Sequence, residues 1–111
     1  MMRGLSLSIA ALAMIAAPAL AQDVQRGEKV FEQWCIACHG AGEMYPGTQA
    51  LAMLHEGNLP AALAERDDLD GDYVEYIVRN GLSVMPFFRM TEIDQTQMAD
   101  LKAYLSRNAQ N

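Results

Sequence analysis

Cys35-Ile36-Ala37-Cys38-His39 holds both cysteines of the 111-residue chain and one of its two histidines. Two thiols separated by two residues, with an imidazole directly after them, admit four chemistries. They are a single disulfide, a redox-active dithiol, half of a zinc site, or the covalent attachment of haem. Each demands a different frame around the pentapeptide, so the flanking sequence decides among them.

Upstream, residues 1–21 read as a secretory signal. Arg3 supplies the positive end, Leu5 to Ala17 is apolar apart from two serines, and Pro18-Ala19-Leu20-Ala21 ends in a small-x-small cleavage pattern. As a helix the apolar stretch would rise roughly 20 Å, against ~30 Å for a bilayer core. A removed signal is therefore expected rather than a retained anchor, leaving residues 22–111 as the working domain, exported to the periplasm. Removing Arg3 turns the balance of eight basic and 14 acidic residues, net −6, into net −7. That argues against nucleic acid or an anionic membrane as partner, since both are bound through clustered Lys and Arg. It leaves small molecules, cations, or a protein with a basic docking patch.

Downstream, the pattern is helical throughout. Asp23 can cap a first helix with Val24, Gly27, Phe31 and Trp34 on one face, ending near Gly40-Ala41-Gly42. A loop-rich stretch is expected from Glu43 through Pro46-Gly47 to about Asn58, and a short helix from Pro60. Another helix runs from about Asp70 to Asn80 with Tyr73, Val74, Ile77 and Val78 as its apolar stripe, and Gly81 sits where a left-handed cap is wanted. The last is the best specified: Asp94 and Gln97 form a capping-box pattern, and Ile93 can staple onto Met98. Met98, Leu101, Tyr104 and Leu105 then face the core. Period-two alternation is nearly absent, so the fold class expected is all-α, three to five helices in a single domain. The stripes are narrow and call for something bulky and apolar between them.

That frame selects haem. Two thiols on one helical turn can form thioethers with the two vinyl groups of a single porphyrin, while the adjacent His39 presents its imidazole to the iron. A thioredoxin-like dithiol wants a βαβ setting. Zinc wants four ligands, and only His55 remains to join Cys35, Cys38 and His39. A structural disulfide across two residues would be strained. A thiol-disulfide redox role for Cys35 and Cys38 stays as the alternative of another class.

On these residues the chain resembles the small single-haem c-type cytochromes of bacteria. Gly27 and Phe31 match the family's first helix, which crosses the C-terminal helix at an aromatic, here Tyr104. Met85-Pro86 matches the dipeptide before the last helix. Tyr76-Ile77-Val78-Arg79-Asn80-Gly81 and Met85-Pro86-Phe87-Phe88 are similar to one branch, the cytochrome subunits of p-cresol methylhydroxylase and of eugenol- and alkylphenol-oxidising flavocytochromes. The resemblance implies a cytochrome c fold around one covalent haem c and makes Met85 the distal iron ligand opposite His39. It also implies that the Pro46 carbonyl accepts from the ring of His39.

The residues themselves leave a choice of distal ligand. Met85 precedes proline, which favours extended backbone on a loop between two helices. Met90 is the runner-up, although core packing suits it better. Met98 belongs to the buried stripe of the last helix, Met44 is too near His39, and Met53 and His55 are remote alternatives. Arg79 and Arg89 can reach haem propionates or simply face solvent. Asp68-Leu69-Asp70-Gly71-Asp72 has the look of a calcium loop, but its glycine falls too early and no glutamate is in register. Six-coordinate iron would leave no place for substrate, so the expected function is electron transfer and not catalysis. The partner expected is a periplasmic flavoprotein dehydrogenase or hydroxylase acting on a phenol, with another cytochrome or an azurin-like protein as downstream acceptor. The alternative is a diffusible carrier between a quinoprotein dehydrogenase and a terminal oxidase.

Overall fold

Asp23 starts the first helix, α1 (Val24–Trp34), its side chain accepting from the Arg26 amide at 2.9 Å. Gly27, Val30 and Phe31 form the buried face, whereas Val24, expected on that face, is exposed at the open first turn. α1 bends at Cys35, whose amide still donates to Phe31, and a single turn, α2 (Ile36–His39), follows before Gly40 becomes extended. The computed structural model describes residues 10–14 and 22–110. The expected signal at 1–21 thus lies mostly outside the described residues, and 10–14 carry no regular structure. Among the described residues no helix is long and apolar enough to cross a membrane.

Two expectations fail in the middle of the chain. The stretch expected as loop contains α3 (Pro46–His55), closed by Glu56 in the left-handed region. Pro46, read as a turn, stands at the first helical position, where its fixed φ fits and no donor is missed. The following Gln-Ala-Leu-Ala-Met-Leu run is made of good helix formers. Thr48 ties the new helix to α2, its buried hydroxyl donating to the Gly40 carbonyl at 2.6 Å. The helix expected from Pro60 is instead one 3-10 turn, Leu63–Glu65. Side chains from the chain's end bond here: Arg107 and Asn108 donate to the Ala64 carbonyl, and Asn108 also to that of Arg66, just past the turn. Arg66 itself grips Asp68 through two bonds of 2.8 and 2.6 Å.

α4 (Gly71–Asn80) is capped by Asp70, which accepts from the amides of Asp72 and Tyr73, and ends at Gly81 with φ 72°. Val74 and Val78 are buried, but Tyr73 turns out to solvent. The acidic run 68–72 is therefore accounted for by Arg66, by the cap, and by the Lys102–Asp72 pair at 2.9 Å. No group of three or more metal-binding side chains occurs among the described residues.

α5 (Gln95–Leu105) carries the full capping box between Asp94 and Gln97. Ile93, Met98 and Leu101 are almost completely inaccessible, and Val30, Phe31, Leu69, Val74, Val78, Tyr104 and Leu105 complete their cluster. Met98 is thereby part of the core, as expected. α1 packs mainly on α5, and α4 packs on α5 beside it. At the crossing the Phe31 and Tyr104 rings meet with centroids 5.6 Å apart. The fold is all-α.

A second tie at this crossing was not legible in the pattern. Asp100, buried on α5, accepts from the Asp23 amide at 2.8 Å and from Arg26 Nε and Nη2 at 2.9 and 3.2 Å. Hydrogen bonds from Arg26 hold its carboxyl below the ordinary range. A group depressed in the folded state stabilises fully above its unfolded pKa, about 4, and progressively less as pH falls through the folded value. Wild-type stability should therefore drop below about pH 4 more steeply than that of Asp100→Asn, which should be about 1–3 kcal/mol less stable at neutral pH. Urea titrations from pH 3 to 7 check both, and parallel pH profiles would remove Asp100 from the account.

Candidate functional site

The cysteines and histidine of the pentapeptide leave the α1–α5 crossing by one helical turn. Cys35, at the bend, packs against the buried cluster, while Cys38 is exposed on α2. No disulfide joins them. Burial, with the nearby Cys38 adding to it, pushes the Cys35 thiol up to about 12. A dithiol catalyst of the thioredoxin kind wants a βαβ setting, whereas the described residues hold no strand beyond an isolated Leu82–Met85 bridge.

His39 is half-buried, and desolvation holds its imidazole below the usual histidine range, in the neutral form that binds metals. The start of α3 closes on it. A Cβ on Gly47 would come 2.7 Å from the Cys38 carbonyl and 3.0 Å from His39 Nδ1, so only glycine allows this approach. The expected bond from the ring to the Pro46 carbonyl is not formed: His39 Nδ1 is buried without a hydrogen-bond partner. Pro46 opens α3, which commits its carbonyl to the helix direction.

Met85 comes from the other half of the chain. The segment after α4 turns at Gly81, whose positive φ suits glycine and whose missing Cβ leaves room for the Met85 carbonyl. Leu82 and Met85 exchange amide–carbonyl bonds at 3.2 and 2.9 Å. Met85 is partly buried against the same core cluster as Cys35, Trp34 and Phe88. The other methionine candidates are placed differently. Met90 is 55% exposed, Met53 80% and Met44 92%. His55 lies with its Nε2 3.5 Å from Arg66 Nη1.

The neighbouring residues divide in ways the sequence did not separate. Phe87 is 59% exposed, but Phe88 turns inward onto Trp34, so the two do not form one exposed aromatic pair. Arg79 donates to the Phe88 carbonyl at 3.2 Å and Arg89 pairs with Glu92 at 2.8 Å. Leu82, Val84, Phe87 and Met90 leave an apolar surface on the segment that carries Met85, the kind of patch that marks a ligand or partner site.

The donors present fit a covalently bound haem. Two unpaired thiols sit three positions apart on a helical turn, a neutral imidazole follows them, and a methionine sulfur sits on a braced loop that packs on the same core. The family model for cytochrome c oxidase, cbb3-type, subunit III matches residues 22–105. Cytochrome c6 of Thermosynechococcus vestitus is 32% identical over 101 residues, covering 90% of this chain and 83% of that one. Cytochrome c6 of Porphyra purpurea is 33% identical over 78 residues, 69% of this chain and 64% of that protein. Cytochrome c6 of Pyropia yezoensis is 32% identical over the same share of each. The chain thus spans just under two thirds of these last two relatives. No solved structure matches significantly.

Proposed function

We propose that this chain, which belongs to the family of small c-type cytochromes, carries single electrons between proteins and is not an enzyme by itself. The observation that carries the reading is the convergence on one buried cluster of Cys35, from the attachment motif, and Met85, from the loop after α4. Cys35 and Cys38 would hold haem c through thioethers, with His39 and Met85 as the two iron ligands and Met90 as the alternative to Met85. When bound, that group supplies a one-electron couple whose potential a methionine ligand raises. The chain's own part is to exclude water with its core, to keep His39 neutral by burial, and to hold the Met85 loop against α1.

The test is attachment. Expressed through a c-type maturation system, the protein should show a Soret band and keep its haem when denatured in acidified organic solvent. Cys35→Ala with Cys38→Ala should give a largely unfolded chain without it. Haem that extracts freely from the wild-type chain would overturn the assignment.

For the partner, we propose a periplasmic flavoprotein that oxidises a phenolic substrate, on the resemblance carried by residues 76–81 and 85–88. Two one-electron transfers would return such a flavin to its oxidised form. The match to an oxidase-subunit model favours a second reading, a diffusible carrier that delivers electrons to a terminal oxidase. Co-purification with flavin, or its absence alongside rapid oxidation by an oxidase, separates the two. In both readings the acidic balance, net −6 over the full chain, suits a partner with a basic docking face, which speeds encounter.

A further inference from the structure

Trp34 is the last residue of α1 and directly precedes the attachment motif. Its ring stands edge-on to Phe88, centroids 5.9 Å apart and planes at 72°, the arrangement aromatic quadrupoles prefer. Phe88 closes the segment that begins at Met85, and its backbone is held on both sides. Its amide donates to the Val78 carbonyl at 2.8 Å, and its carbonyl accepts from Arg79 at 3.2 Å. At the other end the Leu82–Met85 exchange closes the loop. Three of these four ties run within α4 and the loop that follows it. The fourth, the Trp34–Phe88 contact, ties the loop's far end to α1, the helix that leads into Cys35.

We infer that Trp34 and Phe88 are positioning residues: their ring contact latches the Met85 loop to the attachment helix and sets how often the Met85 sulfur leaves the iron. The inference rests on the reading of Met85 as distal ligand. The indole Nε1 is buried and has no hydrogen-bond partner within the protein, so the anchoring derives from ring packing and a phenylalanine can supply it. An outside ligand binds only when the loop is open. Its apparent affinity therefore rises by the factor by which the open fraction rises.

The test is imidazole binding to the oxidised, haem-loaded protein, under conditions where circular dichroism shows each variant folded. Trp34→Leu should bind imidazole about five- to ten-fold more tightly than wild type, the factor one aromatic edge pair supports. It should also lose the far-red sulfur-to-iron band at lower pH. Trp34→Phe should stay within about two-fold of wild type. Should Trp34→Leu not fold, Arg79→Gln, which frees the Phe88 carbonyl, should shift imidazole affinity in the same direction. Unchanged affinity in Trp34→Leu, or in Arg79→Gln where that is the variant measured, would overturn the latch, whatever happens to thermal stability. So would Trp34→Phe behaving like Trp34→Leu, because the N–H and not the ring would then be responsible. Met85→Ala is the control. If it retains the far-red band the ligand reading itself fails; if it loses the band while Trp34→Leu binds imidazole as wild type does, only the latch fails.

Discussion

Gly27→Ala is expected to cost about 4 kcal/mol of folding stability, among the largest effects a single methyl can have. In an ordinary exposed helix the same change gains about 1 kcal/mol, so the sign alone is informative. At Gly27 the added Cβ would run into the backbone of Asp100, 2.6 Å from its carbonyl carbon, and lie 2.7 Å from Tyr104 Cβ. Backbone cannot rotate away as the end of a side chain can. α1 and α5 would have to separate, which pulls apart the Phe31–Tyr104 rings and the Asp100 bonds to Asp23 and Arg26. Guanidinium titration of the haem-loaded protein reads the effect. An alanine variant as stable as wild type would show that the two helices do not meet at Gly27.

Met85→Ala is expected to remove the far-red sulfur-to-iron absorption of the oxidised protein completely. It should also lower the reduction potential more than any other methionine substitution, because thioether ligation favours the reduced state. Met90→Ala should change neither, since Met90 is more than half exposed while Met85 packs on the core. Absorbance and redox titration of the two variants decide the assignment. The reverse outcome would move the ligand to Met90. The Met85 loop is braced at Gly81, at the Leu82–Met85 bridge and at Phe88, so the loss of one side chain should leave the rest of the fold standing.

The sequence alone determined those parts of the molecule whose causes are local. A capping box needs only Asp94 and Gln97 three apart, and the structure carries it where the pattern placed it. The positive φ at Gly81 follows in the same way from a glycine after a helical stripe. The proposal of haem attachment at Cys35, Cys38 and His39 draws on a local feature too, spacing along one helical turn. Membership of the cytochrome family was visible in the same residues, joined to Gly27, Phe31 and Tyr104.

What only the tertiary structure decided are the matters in which distant residues compete for one group. Pro46-Gly47 is a turn signal by itself. It begins α3 because Thr48 finds the Gly40 carbonyl and because Gly47, lacking a Cβ, can sit against Cys38 and His39. The helix expected from Pro60 shrinks to the turn Leu63–Glu65, where Arg107 and Asn108, more than forty positions on, bond the Ala64 and Arg66 carbonyls. Phe87 and Phe88 are indistinguishable as neighbours in sequence, yet one faces solvent and the other meets Trp34. Asp100 can lie buried on α5 because the Asp23 amide and the Arg26 guanidinium satisfy its carboxylate. Where a polar group is at stake, local propensities differ by a few tenths of a kcal/mol to about 1, whereas a buried polar group left without its partner costs about 1–3 kcal/mol, so the long-range partner prevails.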